Sequence, residues 1–254
     1  MPSIRQNRKT WKSYGWDQRG DEWSERWGST EMLWYGTVLP RIHWQIPCGH
    51  LLEIAPGHGR ITRFLVDRCE RYTGIDLTSN CVKSCRARFS EHDHMEFHVN
   101  DGKSLDAVSD ASVDFAFSWD SLVHADIEVL SAYLDELARK LRPGGHAFLH
   151  HSNLGQFVDS VSGDVAVANE HWRDPTVSAS AFREKCQEAG LACISQELVQ
   201  WLSDDLIDCF SVVHNGPKDR PTAVLNHPDF AAEYGYLKQL HDARLSGLPD
   251  DAGH

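Results

Sequence analysis

The stretch Leu51-Leu52-Glu53-Ile54-Ala55-Pro56-Gly57-His58-Gly59 decides the fold of this chain, because it joins a buried strand to a glycine-rich turn. Its first five residues are apolar apart from Glu53 and predict a strand, and residues 61–69 predict the helix that follows. Glycine lets the backbone approach a ligand where a Cβ atom would collide, and a helix start presents free N–H groups. The stretch therefore predicts a ligand-binding turn between a strand and a helix.

The alternation of strand and helix continues along the chain beyond this turn. Six further strands are predicted over residues 71–75, 95–99, 113–118, 146–150, 192–200 and 209–214. Helical patterns separate them over residues 79–89, 127–141 and 179–189. Such alternation is typical of βαβ units, so we expect a doubly wound α/β fold with a parallel sheet.

The predicted core spans residues 50–215 and is flanked by two segments of different composition. Six of the nine tryptophans lie in residues 1–49, namely Trp11, Trp16, Trp23, Trp27, Trp34 and Trp44. Their near-helical spacing predicts a helical, tryptophan-rich N-terminal cover. Trp27 and Trp34 either pack onto the sheet or contact a substrate. Residues 216–254 form a polar C-terminal tail, partly helical near residues 230–240.

Composition narrows the classes of partner. A formal net charge of -12 argues against binding to nucleic acid, which requires clustered Lys and Arg. No apolar run approaches the roughly 18 residues of a membrane span, and residues 1–12 lack the apolar stretch of a signal peptide. We expect a cytoplasmic protein with a small-molecule partner and no membrane partner, and a homo-oligomer stays open.

The seven cysteines predict reduced thiols rather than a disulfide framework, because their number is odd and they are scattered. Cys81 and Cys85 lie one helical turn apart, but no second pair completes a zinc pattern. No metal site is expected from these residues.

Asp76 ends the second predicted strand about twenty residues after the glycine turn, where a carboxylate can accept hydrogen bonds from both ribose hydroxyls. Nicotinamide-dependent enzymes also bind the ribose with a carboxylate at this position. Asp76 therefore indicates a cofactor with an adenosine ribose but does not identify which cofactor. A dinucleotide-binding turn prefers Gly or Ala at the third glycine position, where this chain has Thr62.

Five stretches together resemble the class I S-adenosylmethionine-dependent methyltransferases over about residues 51–149. They are Leu52-Glu53-Ile54-Ala55-Pro56-Gly57-His58-Gly59, Gly74-Ile75-Asp76-Leu77, Asn100-Asp101-Gly102, Val113-Asp114-Phe115-Ala116-Phe117-Ser118 and Leu141-Arg142-Pro143-Gly144-Gly145. The resemblance implies a Rossmann-like sheet of seven strands with the last one antiparallel. It also implies S-adenosylmethionine as the cofactor.

The resemblance assigns cofactor-binding residues one by one. In that family the glycine loop accommodates the methionyl portion, the acid of the second strand holds the ribose, and the acid after the third strand meets the adenine amine. The corresponding residues and their neighbours in this chain are Glu53, Gly57, Gly59, Asp76, Leu77, Asp101, Gly102 and Trp119.

Candidate catalytic residues follow the fourth and fifth strands, whose carboxyl ends face the ligand crevice of an open α/β sheet. Histidine suits a general base, and strand alternation points only one of His150 and His151 toward the site. We predict His151 as the base, with His124 as an equal candidate. Asp120 is the expected orienting carboxylate, or a ligand if the enzyme uses magnesium. Alternatively, His124 caps a helix and His151 binds loop carbonyls.

The acceptor is predicted from a finer similarity to bacterial methyltransferases that act on sugars or other polar metabolites. This similarity favours O-methylation of a hydroxyl on a sugar-like or natural-product acceptor. Arg173 is expected to pair with an anionic acceptor. The alternatives are a small-molecule N-methyltransferase, a nicotinamide-dependent reductase, and a non-catalytic module that binds S-adenosylmethionine.

Overall fold

A computed structural model gives the fold and describes residues 3–169, 171–201, 203–219 and 221–245. The strands are β1 (Cys48–Ile54), β2 (Cys69–Asp76), β3 (Met95–Val99), β4 (Val113–Ser118), β5 (Leu141–Ser152), β6 (Ala192–Val199), β7 (Asp208–His214) and β8 (Ala223–His227). The α-helices are α1 (Ile4–Ser13), α2 (Thr30–Leu33), α3 (Leu39–Ile42), α4 (Thr62–Leu65), α5 (Ser79–Arg88), α6 (Ile127–Lys140), α7 (Ala179–Glu188) and α8 (Phe230–Leu245).

Shorter helical segments lie between these elements. Five are 3-10 helices, at Asp21–Trp27, His43–Gln45, Val66–Arg68, Leu122–His124 and Leu154–Phe157, and Trp34–Val38 forms a π-helix. Among the described residues, no helix combines the length and apolar character needed to cross a membrane.

All the strands join one sheet in the order β3-β2-β1-β4-β5-β7-β6-β8. Strands β1 to β5 pair in parallel, and β7 is antiparallel to both of its neighbours. The doubly wound, Rossmann-like fold is confirmed. Because the order turns back at β1 and β4, the loops after these two strands diverge and leave a crevice between them.

The sheet has eight strands in the described residues, so the expected number of seven is wrong by one. The additional strand β8 pairs in parallel with β6 and lies at the edge of the sheet. Four of its five residues are exposed, as its burial pattern shows. An exposed edge strand lacks the apolar alternation from which strands are recognised, and for this reason β8 was not predicted.

Two apolar clusters pack against the two faces of the sheet. Consecutive residues of a strand point to opposite faces, so Leu51 belongs to one cluster and Leu52 to the other. The N-terminal residues from Trp27 to Ile46 cover the first face together with Phe230 of α8. Helices α6 and α7 cover the second face, where Ile4 of α1 also packs. Arg41 of α3 binds Glu197 of β6 at 2.7 Å and Glu233 of α8 at 3.1 Å, and so ties the N-terminal cover to the edge of the sheet.

Trp34 is a core residue of the N-terminal cover, so its predicted substrate contact is wrong. Its side chain is fully buried and stacks on Phe64, with ring centroids 5.1 Å apart. The residue at the start of the π-helix points toward α4 rather than toward the carboxyl ends of the strands.

We expect Trp34→Ala to lower the free energy of unfolding by about 3–5 kcal/mol, the usual cost of removing a large buried aromatic ring. Trp44→Ala is the matched control, because Trp44 is half exposed and its removal should cost less than about 1 kcal/mol. Equilibrium denaturation in urea measures both values. Equal losses in the two variants would contradict the buried position of Trp34.

Candidate functional site

A cavity of about 430 Å³ lies at the carboxyl ends of β1, β2 and β4. This volume is within the range of ligand pockets, about 300–1,000 Å³. Its floor includes Glu53, Asp76 and Trp119 from these strand ends, and its roof comes from the N-terminal cover. The tryptophans that line it are Trp11, Trp16, Trp23, Trp27, Trp119, Trp172 and Trp201.

The glycine turn after β1 bends sharply, with φ of 59° at Ala55, 60° at Gly57 and 83° at Gly59. Gly57 lines the cavity, and a Cβ atom there would lie 3.0 Å from the ring of Trp16. Gly59 has another role than predicted. It does not line the cavity, and a Cβ atom on it would lie 2.6 Å from Phe89, so helix packing requires glycine at this position.

Asp76 is buried at the end of β2 and lines the cavity beside Leu77. Its Oδ2 accepts the Gly57 N–H at 3.2 Å, and its Oδ1 accepts the N–H and hydroxyl of Thr78 at 2.8 and 2.9 Å. Burial raises the pKa of this carboxyl, and the hydrogen bonds oppose the rise. Asp76 thus fixes the glycine turn and presents a carboxylate edge to a ligand.

Glu53 lies under the turn, where burial raises its pKa to about 7 despite two hydroxyl donors. Its Oε2 accepts hydrogen bonds from the hydroxyls of Tyr72 and Thr62. Thr62 therefore has a structural reason to replace the third glycine: its hydroxyl serves the buried carboxyl group. Glu53 also lines the cavity.

The far end of the cavity lies at Gly102, where a Cβ atom would be 3.0 Å from Ile4 of α1. Asp101 lies outside the cavity lining and is exposed. Its Oδ1 accepts the backbone N–H groups of Lys103 and Ser104 at 2.9 and 2.8 Å. These bonds lower the pKa of Asp101. Its contact with an adenine amine stays a prediction, and Gly102 is the residue of this turn that reaches the cavity.

These features fit S-adenosylmethionine. The buried Asp76 carboxylate lies between the glycine turn and Gly102, as a ribose lies between the methionyl and adenine portions of the cofactor. Three buried nitrogens of cavity-lining residues, Nε2 of His58, Nε1 of Trp119 and Nδ1 of His124, have no hydrogen-bond partner among the described residues. Unsatisfied buried groups of this kind are expected where a polar ligand binds.

His124 follows β4 and lines the cavity under the ring of Trp11, with ring centroids 5.5 Å apart. Burial and the nearby charge of Arg173 lower its pKa to about 4, while a hydrogen bond to the Trp172 backbone opposes the shift. Its imidazole is therefore neutral near pH 7. A neutral imidazole whose Nδ1 has no partner can accept a proton from a ligand.

His151 points away from the cavity, so its prediction as the base is wrong. It lies within β5, fully buried, where its Nε2 contacts the Ser211 hydroxyl at 2.8 Å and its ring stacks on Phe182. Strand alternation does select one histidine, but the one that it turns toward the cavity face is His150. Both faces of the sheet are apolar, so the sequence pattern could not decide between them.

His150 belongs to a buried network that the sequence did not reveal. Its Nε2 lies 3.0 Å from Oδ2 of Asp208, and its Nδ1 accepts the backbone N–H of Asp120 at 3.1 Å. Arg173 binds the same carboxylate of Asp208. Although burial would raise the pKa of Asp208, the charge of Arg173 and the bond from His150 hold it well below its usual range. No short motif signals Asp208, because its partners are distant in sequence.

Arg173 and Asp120 are present in the site but with partners other than those predicted. The Arg173 guanidinium makes a fork with Asp208, at 3.0 and 2.7 Å, so its charge is already neutralised and does not await an anionic acceptor. The Asp120 carboxylate binds Arg60 at 2.9 Å rather than a histidine. Among the described residues, no group of three or more His, Cys, Asp or Glu side chains could hold a metal ion.

Trp27 lines the cavity, but its ring also packs on Trp201 and Tyr234, and its Nε1 donates to the Thr37 hydroxyl at 2.9 Å. Packing in the core and contact with a substrate therefore both remain possible roles of Trp27, since its ring belongs to the core and also lines the cavity.

Comparison with known proteins places the strand ends that form the floor of the cavity in a recognised domain. Residues 51–145 match the family described as a methyltransferase domain. A phosphoethanolamine N-methyltransferase from Triticum aestivum is 28% identical over 136 residues, which are 53% of this chain and 26% of that protein. The biotin biosynthesis bifunctional protein BioHC from Cellvibrio japonicus is 26% identical over 151 residues, 59% of this chain and 29% of that protein. The matched region thus spans less than a third of the length of these relatives.

Among solved structures, the PH0226 protein from Pyrococcus horikoshii OT3 superimposes with a TM-score of 0.58 at 17% identity, over 81% of this chain and 98% of that one. At 17% identity, this structural similarity shows a shared fold. Fold, cavity and the matched family agree with the order and spacing of the five sequence stretches. Residues 51–145 therefore form a methyltransferase domain of the class I S-adenosylmethionine-dependent type, whose cofactor is S-adenosylmethionine.

Proposed function

We propose that this protein transfers a methyl group from S-adenosylmethionine to a hydroxyl of a small polar acceptor, with His124 as the general base. The observation that carries the proposal is the buried Nδ1 of His124, which lines the cavity and has no hydrogen-bond partner in the protein. S-adenosylmethionine, when bound, supplies a methyl group on a positively charged sulfur. Residues of this chain must then hold the acceptor in line with that group and remove the hydroxyl proton.

The unpartnered nitrogens of Trp119 and His124 favour a hydroxyl over an amine. The indole N–H of Trp119 needs an acceptor, and a neutral His124 needs a donor. A hydroxyl oxygen can donate its proton to His124 and still offer two lone pairs, one to Trp119 and one for attack on the methyl group. A neutral amine has a single lone pair, which the reaction itself uses, and a protonated amine has none.

The charges around the cavity support an acceptor without strong charge. Arg60 is paired with Asp120, and Arg173 is paired with Asp208, so neither guanidinium is free to bind an anion. The third guanidinium of the lining, Arg26, is accompanied there by the carboxylates of Glu22 and Glu25. The tryptophans of the roof exclude water from the reacting groups, which would otherwise compete as acceptors. A neutral polyhydroxylated compound, such as a sugar, suits this environment.

A small-molecule N-methyltransferase is the second candidate, because two glutamates accompany the tryptophans of the cavity wall. Glu22 and Glu25 line the cavity next to Trp23 and Trp27. Aromatic rings and carboxylates together attract cationic amines. The related phosphoethanolamine N-methyltransferases also favour this alternative. Transfer of labelled methyl groups to monosaccharides and phenols, compared with primary amines, distinguishes the two candidates.

We expect Asp76→Asn to weaken the binding of S-adenosylhomocysteine by about 10- to 100-fold, because the ribose hydroxyls lose a charged acceptor. The amide retains an oxygen for Thr78 but loses the acceptor of the Gly57 N–H, so thermal unfolding of the variant is measured alongside to show that the turn stays folded. Asp106→Asn serves as the control, since Asp106 is exposed and outside the cavity lining. Isothermal titration measures both affinities, and unchanged affinity in Asp76→Asn would contradict the ribose position.

We expect His124→Gln to lower kcat by about 10²- to 10⁴-fold, the usual contribution of a general base. Affinity for S-adenosylhomocysteine should change little, because His124 belongs to the acceptor side of the cavity. His98→Gln, at a partly exposed strand position, should leave both quantities unchanged. A His124→Gln enzyme with full kcat on its acceptor would exclude His124 as the base.

The low pKa of His124 has a consequence for the pH profile. His124 is a competent base while neutral, so its contribution is fully present well above pH 4 and is lost as the pH falls through about 4. We therefore expect kcat/KM to show no acid limb near pH 6.5 from this group. Glu53, with a pKa of about 7, also titrates in the cavity, so the profile is recorded in Glu53→Gln as well. An acid limb near pH 6.5 that persists in Glu53→Gln would contradict this assignment.

A further inference from the structure

Trp172 is a large apolar side chain that the structure holds exposed at the cavity. Its exposed fraction is 62%, yet it lines the cavity that holds His124. Its φ of 54° is in the left-handed region, which is strained for a bulky residue. Exposure of the apolar indole and strain of its backbone both cost free energy of folding. Strained residues of this kind concentrate at ligand-binding positions.

The turn that carries Trp172 is anchored at several points. The Asn169 side chain accepts the N–H of Arg173 at 2.8 Å and donates to its carbonyl at 2.9 Å. The Arg173 guanidinium makes its fork with Asp208 and donates to the His171 carbonyl at 3.2 Å. Because Arg173 is buried and bound in this way, the residue before it cannot relax without breaking these bonds.

The same anchor also reaches the candidate base. His124 lines the same cavity as Trp172, and the charge of Arg173 helps to lower the pKa of its imidazole. Asp208 further holds His150, whose Nδ1 accepts the N–H of Asp120. One buried carboxylate thus positions the turn of Trp172 and the loop that follows β4, and both face the acceptor.

We infer that Trp172 determines acceptor specificity by packing its indole against the apolar face of a ring that bears the methylated hydroxyl, as in a pyranoside. Arg173 and Asp208 are positioning residues for this contact. The inference rests on the proposed hydroxyl methylation. A planar indole gains most contact area from a ring with a flat C–H face, whereas an open-chain polyol offers no such surface.

Steady-state methyl transfer to methyl α-D-glucopyranoside and to sorbitol tests the ring contact, because the two probes share hydroxyl chemistry and differ in the ring. We expect the wild type to prefer the pyranoside. Trp172→Ala should raise the KM for the pyranoside by about tenfold, with kcat within about threefold, since the lost contact is apolar area removed from water. The KM for sorbitol and the affinity for S-adenosylhomocysteine should not change, and Trp172→Phe should retain most of the preference.

Trp44→Ala is the matched control, because Trp44 is also half exposed but does not line the cavity. The inference is overturned if Trp172→Ala leaves the pyranoside KM unchanged or raises the KM for both probes equally. It is also overturned if the wild type prefers sorbitol, or methylates other acceptors but neither probe. In each case the proposed methyl transfer still stands. A wild type that binds S-adenosylhomocysteine but methylates no hydroxyl compound would overturn the proposed function, and the inference with it.

The positioning role of Arg173 is tested by a double-mutant cycle. Arg173→Lys keeps the charge but loses the fork with Asp208, so it should raise the pyranoside KM without weakening cofactor binding. Combined with Trp172→Ala it should add little, because both changes remove one contact. Effects that multiply fully would show that Arg173 acts independently of Trp172 and would overturn its positioning role.

Discussion

The acceptor side of the cavity depends on the buried carboxylate of Asp208. This group is fully buried, so its charge is tolerated only because Arg173 and His150 both bind it. Removing one partner of such a buried pair leaves an uncompensated charge, at a cost of about 3–5 kcal/mol. The loops after β4 and β5 meet the start of β7 at this point. The buried ion pairs add to the backbone hydrogen bonds that already join β5 to β7.

The cofactor side follows a different physical rule, and for that reason it could be predicted from sequence. Asp76 and Gly57 are neighbours because β1 and β2 pair in register and the turn between strand and helix requires glycine. Strand patterns and glycine spacing report such local constraints directly. The fold, the buried carboxylate of Asp76 and the glycine turn could be recognised without any long-range contact. The role of Asp101 was harder to predict, because its side chain accepts hydrogen bonds from the backbone of its own turn.

The acceptor side could not be predicted in the same way. Asp208 lies 58 residues from His150 and 35 from Arg173, and no local pattern links them. The prediction of His151 rather than His150 failed because apolar clusters pack on both faces of β5. Strand alternation shows that the two histidines point to opposite faces, but not which face is nearer the cavity. The substrate contact predicted for Trp34 failed for a similar reason. Near-helical spacing shows that a tryptophan lies on an amphipathic element, but not which apolar cluster its side chain enters.

The N-terminal cover connects the two sides, because α1 and the segment after it touch both. Ile4 lies on Gly102 and Trp16 stacks on His58 of the glycine turn, while Asn7 donates to the His124 carbonyl at 2.9 Å. Trp11 covers the His124 ring, and burial is the largest cause of its low pKa. The protonation state of the candidate base is thus a property of the closed cover: the segment that encloses the cofactor also keeps the imidazole neutral and ready to accept a proton.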